Sequence, residues 1–151
     1  MKKLLALMTA LILLCAMATA ETALRELSDY YGQDIAQAAA ALGGLTFRAG
    51  DEFAENYEGD ALVLRGNGGK VTDIELKGVA GPDSLCGVTV GMARDDVKAL
   101  MSACPMLWEY DEELAYIVRE DTKNELNSET LVVFFDEDAK VNGAWYRSSA
   151  V

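Results

Sequence analysis

Histidine is absent from the 151-residue chain, proline occurs only at 82 and 105, and there are three cysteines. Positive charge is also scarce, with 13 Lys plus Arg against 25 Asp plus Glu. Without histidine, Ser-His-Asp and Cys-His catalysis and every His-containing zinc site are excluded. No stretch rich in Pro, Ser or Gly divides the chain, so the length suits one domain or two small units sharing a core. Two of the basic residues and none of the acidic ones lie in the first 20 positions, so the remainder carries a net charge of −14. Such a surface repels phosphate backbones and anionic lipid, which excludes nucleic acid as a partner.

The first 20 residues have the three-part layout of a secretory signal peptide. Lys2 and Lys3 open it, an uncharged apolar run follows over 4–17, and Ala18-Thr19-Ala20 is a small-x-small site ahead of Glu21. The run is shorter than the ~20 residues a membrane-spanning helix needs. Cleavage after Ala20 and release to the periplasm or exterior is expected, with no stable membrane span afterwards. A buried N-terminal helix is the plainer alternative. Cys15 follows the bulky Leu14, whereas a lipoprotein anchor needs a small residue there.

Cys86 and Cys104 remain after position 20. Outside the cytoplasm an even count reads as a disulfide. The bridge would span one predicted helix and contribute about 3 kcal/mol by chain entropy. Two separate buried thiols are the alternative. Neither cysteine has a CxxC partner, so a thioredoxin-like role or a Cys-rich zinc site is unsupported.

Periodicity predicts a short helix over 23–31 and a second over 33–42, with Ile35, Ala38, Ala39 and Leu42 on one face. Strands are expected over 45–48, 61–65 and 71–76, the last two joined by a Gly-rich turn. Gly78 to Asp83 is turn chemistry. Beyond it a helix over 94–101 presents Val97, Leu100 and Met101, and strands follow over 106–110, 114–119, 131–135 and 141–146. Segment 121–129 reads as a charged loop. The closing hairpins align at an offset of 70, which matches Val63 with Val133, Lys70 with Lys140 and Val71 with Val141. The shared order of helix, strands and hairpin points to a duplication. The expected architecture is α+β, two tandem halves over 21–80 and 81–151. Each packs a helix on a three- to four-stranded antiparallel sheet.

Gly87-Val88-Thr89-Val90-Gly91-Met92-Ala93-Arg94-Asp95-Asp96-Val97-Lys98-Ala99-Leu100 resembles a pattern of exported bacterial proteins. The group contains the β-lactamase inhibitory protein and the BamE/SmpA outer-membrane assembly lipoproteins. Tyr31-Gly32-Gln33-Asp34-Ile35 with Leu42-Gly43 is a fainter version of the same opening. The resemblance implies tandem helix-plus-sheet halves. Ala93 stands where that pattern caps the helix with Ser or Thr, at a cost of about 1 kcal/mol.

Carboxylates cluster at Asp51-Glu52, Asp111-Glu112-Glu113 and Asp136-Glu137-Asp138. All are in predicted turns, where solvated charge is the default rather than the buried, pKa-shifted pair a glycoside hydrolase needs. Ala139 and Lys140 spoil a calcium-loop reading of 136–142, and Val71 spoils a P-loop reading of 66–70. No catalytic residue, metal or cofactor is assigned.

Aromatic placement says more. By the 70-residue offset, Val132, Phe134, Ala144 and Tyr146 match the core face Leu62, Leu64, Ile74 and Leu76 of the first hairpin. That leaves Val133, Phe135 and Trp145 on an open face, which in a sheet with one helix layer should be polar. Apolar groups there suggest a contact surface. Cover by the N-terminus or a second copy explains them equally well. The expected function is an exported, non-enzymatic module binding a protein or cell-envelope partner through Val133, Phe135 and Trp145, its acidic rim suiting a basic partner. A secreted hydrolase using paired carboxylates and a structural envelope component are the alternatives.

Overall fold

The computed structural model describes residues 23–48, 55–120 and 128–148. The predicted signal segment, Cys15, the Asp51-Glu52 pair and most of the 121–129 loop lie outside the described residues. Within them the chain is mostly β, with ten strands and two α-helices. Strands β1 (Arg25–Glu26) and β6 (Asp83–Ser84) form a small parallel pair. The other eight are β2 (Thr46–Arg48), β3 (Glu55–Glu58), β4 (Leu62–Asn67), β5 (Lys70–Leu76), β7 (Met106–Tyr110), β8 (Glu113–Arg119), β9 (Glu129–Phe135) and β10 (Val141–Ser148). They make one antiparallel sheet in the order β2-β3-β4-β5-β10-β9-β8-β7.

This corrects the expected fold class. The chain does not separate into two tandem halves that each pack a helix on their own sheet. β10 pairs with β5, Ala144 opposite Leu76 and Arg147 opposite Asp73, and this seam turns both meanders into one surface. The reason is geometric. Strands β5 and β10 are each left with an unpaired edge by their own hairpin, and an unpaired edge is stabilised by another strand.

Helix α1 (Ile35–Leu42) begins where Asp34 caps it, its side chain accepting from the Gln37 amide. It ends at Gly43, whose φ of 69° favours glycine. Its buried face is Ile35, Ala38, Ala39 and Leu42, and it packs against β4 and β5. Ile35 approaches β4 where only glycine fits. A Cβ on Gly66 would come within 2.6 Å of Ile35 Cδ1 and 2.7 Å of the Lys70 carbonyl. Helix α2 (Arg94–Leu100) starts at Ala93, which has the extended backbone of a cap but no side-chain cap bond. Val97 and Met101 enter the core, whereas Leu100 is 48 % exposed. The segment expected to be helical over 23–31 instead forms β1 and a 3-10 turn at Ser28–Tyr30. Strand pairing with the distant Asp83 and Ser84 outweighs local propensity there.

A contiguous core lies between the sheet and the helices. It runs from Leu27 and Ile35 through Leu64, Ile74 and Leu76 to Val97, Leu114, Leu131 and Tyr146. Leu85 and Val88 plug it from the β6 turn, which is held by reciprocal backbone bonds between them.

Candidate functional site

The opposite face of the sheet is lined by residues offset by one position from the core set. On β4 and β5 these are Val63, Arg65, Asp73 and Glu75, whereas Val71, at even spacing from Asp73, turns into the core because β5 bulges at Thr72. On β10 and β9 they are Trp145, Val132 and Phe134. Trp145 stands between Glu75 of β5 and Val132 of β9. Val133 is 0 % and Phe135 5 % exposed, both within the core cluster, and Val141 joins them. The surface predicted from Val133, Phe135 and Trp145 is therefore not one surface.

Two features of the hairpins explain this. Residues 67–70 connect Gly66 to its partner Val71, whereas 136–140, one residue longer, connect Phe135 to its partner Val141. The 70-residue offset thus holds on β5 and β10 but fails by one on β4 and β9. A one-residue slip sends every side chain to the other face. Second, a bulge lies between Val141 and Gly143, so Val141 and Trp145 fall on opposite faces despite their even spacing. The turn length was the available signal. The bulge had none beyond Gly143 itself.

The open face is built around Trp145. Its ring centre is 6.4 Å from that of Phe134, the planes inclined at 58°. The guanidinium of Arg147 sits 5.0 Å from the Trp145 centroid and that of Arg65 at 5.6 Å. Arg65 Nη2 donates to Glu75 Oε2 at 2.5 Å, which compensates its charge on the face. Trp145 Nε1 and Arg65 Nη1 are buried donors without an acceptor among the described residues. Such orphans are rare in folded proteins and call for an explanation. Farther along, Trp108 on β7 donates from Nε1 to Glu113 at 2.8 Å.

Beside Trp145 the ladder between β5 and β10 ends, because Asn142 is bulged out of register. A groove of about 380 Å³ opens there, bordered by Glu75, Lys77, Phe134, Asn142 and Trp145. Its floor is tight backbone. A Cβ on Gly78 would meet the Asn142 carbonyl at 2.6 Å. Lys77 is held by Glu58 at 2.6 Å and by the Gly59 carbonyl. That ion pair keeps the Glu58 carboxyl below its usual range.

The remaining sequence candidates fall elsewhere. Cys86 and Cys104 are both free thiols, partly buried against the core, so the expected bridge is not present. Burial, with the neighbouring Glu26 carboxylate, pushes the Cys86 thiol up to about 12. Asp136 closes its own turn, Oδ1 accepting from the amides of Asp138 and Lys140. Among the described residues no three metal-ligating side chains converge. No helix among them is long and apolar enough to cross a membrane.

No protein family matches the chain, and no curated protein does. Among solved structures, it is similar to an extracellular protein containing a SCP domain from Bacillus anthracis strain Ames. The TM-score is 0.51 at 15 % identity over 83 % of this chain. The match spans 46 % of that protein, so this chain corresponds to less than half its length. At that identity the likeness concerns the fold. The resemblance drawn from residues 87–100 is corrected accordingly: no relationship to the β-lactamase inhibitory protein or to BamE is shown, and the structural likeness found is to the SCP-domain protein.

Proposed function

We propose that the chain is an exported, non-enzymatic binding module that contacts a protein partner through the open face of its sheet. The observation that carries this is the environment of Trp145. A large aromatic side chain, its indole donor unpartnered among the described residues, sits beside a groove on the sheet face opposite the helices. Trp is a favoured interface anchor because it buries a large area with few rotatable bonds. Export is supported by the layout of residues 1–20 and by the extracellular nature of the B. anthracis protein. A binding rather than hydrolytic role is supported by the placement of the Asp111-Glu112 and Asp136-Glu137-Asp138 clusters in exposed turns, where solvated charge is the default.

Affinity capture from the secreted and envelope fractions of the producing cell tests this. The native chain should retain a protein that Trp145→Ala and Phe134→Ala lose while remaining folded. Equal capture by native chain and both variants would overturn the assignment to this face.

A further inference from the structure

The two ends of the eight-stranded sheet differ in charge. Strands β3, β7 and β9 all run toward one end, so the β3–β4, β7–β8 and β9–β10 turns lie together there. These turns bring Asp60, Asp111, Glu112, Asp136, Glu137 and Asp138 to that end, with Glu113 opening β8. None of these carboxylates forms an ion pair among the described residues. Three nearby cations are already engaged, Lys77 with Glu58 and both Arg94 and Lys98 with Glu109, and Arg94 also donates to the Tyr110 and Asp111 carbonyls. Lys140 alone is left in the turns.

A second cavity, about 590 Å³, is bordered by Asp111, Glu112, Glu113 and the rings of Tyr110 and Phe134. Tyr110 is 63 % exposed. Phe134 also borders the groove beside Trp145, so the two cavities adjoin across one ring. Aromatic faces and carboxylates both stabilise a cation. A metal ion needs ligands converging on a point, and these carboxylates are spread along turns, with no three metal-ligating side chains converging among the described residues. Spread carboxylates with rings between them suit several cations carried at intervals on one polypeptide.

Resting on the reading of this face as a binding surface, we propose that its occupant is a basic protein segment. A lysine or arginine side chain enters between Tyr110 and Phe134 toward Glu112 and Glu113, and the adjoining stretch lies along the groove to Trp145. The surplus negative charge of the molecule steers such a segment in, and the rings give the contact its position.

The test is selection of a random peptide library on the full chain at physiological ionic strength. Recovered peptides should be enriched in Lys and Arg. Their affinity should fall at least tenfold with Asp111→Asn combined with Glu112→Gln, and likewise with Phe134→Ala. It should change less than twofold with Asp95→Asn combined with Asp96→Asn, which removes the same charge from the first turn of α2. Equal losses in the two charge pairs would reduce the effect to net charge and overturn the proposal. Peptides without basic enrichment that are lost with Trp145→Ala would overturn the basic occupant while leaving the binding face standing. Recovery of no peptide sensitive to any of these substitutions would count against both.

Discussion

The carboxylate of Glu26 accepts five hydrogen bonds. They come from the amide and hydroxyl of Ser28, the hydroxyl of Ser84, and the amides of Cys86 and Gly87. Burial alone would raise its pKa, but the hydrogen bonds outweigh burial and hold it below the ordinary 4.5. A carboxyl lowered in the folded state stabilises fully above the unfolded value and loses that contribution as pH falls through the folded one. Glu26→Ala leaves buried amides unpaired and should cost about 3 kcal/mol at pH 7. In thermal melts from pH 7 down to 3, the native chain should lose stability below about pH 4.5, in the range of an unperturbed carboxyl. Glu26→Gln should show a shallower acid limb, and an unchanged limb would count against this role. Cys86 titrates far above neutrality, so its reactive thiolate is scarce. Iodoacetamide at pH 8 should label it slowly in the native protein and fully in urea.

At the scale of elements, the contrast between the two hairpins shows what the sequence made legible. Alternation in β4 and in β5 from Asp73 onward, the stop of α1 at Gly43, and the Asp95-Asp96-Val97 start of α2 were readable because each is a local signal, whereas the start of α1 lies at Ile35 behind the Asp34 cap rather than at Gln33. The face of β9 was not, because it depends on a turn one residue longer than its counterpart; the bulges at Thr72 and Asn142 are common to both hairpins and turn Val71 and Val141 into the core. Nor was the pairing of β1 with β6, whose strands are distant in sequence, or β3, a polar Glu-Asn-Tyr-Glu segment without apolar alternation. The uncapped start of α2 offers a direct test. Ala93 has φ −72° and ψ 148°, the backbone a capping residue adopts. Ala93→Ser should therefore stabilise the protein by about 1 kcal/mol in urea titration. Gly78→Ala acts on the groove instead. Its Cβ has no room against the Asn142 carbonyl, so it should displace the bulge and weaken binding more than it lowers stability.

For the whole molecule, the seam between β5 and β10 decides how the protein unfolds. With one contiguous core across that seam, the described residues should behave as a single cooperative unit. Val133→Ala, deep in that core, should cost about 2 kcal/mol and move one midpoint without splitting the transition. Two resolved transitions would restore the picture of independent halves. Partner association should slow as salt is raised, since steering by an acidic surface is screened.

The central claim is that the sheet face opposite the helices is the surface that binds. Hydrogen–deuterium exchange of the chain alone and with its captured partner tests this most directly. Protection should appear in β9, β10, the end of β5 near Lys77 and the β7–β8 turn, with α1 and α2 unchanged. Protection confined to α1, α2 and the β1–β6 pair would place the partner on the other side of the molecule and contradict the account.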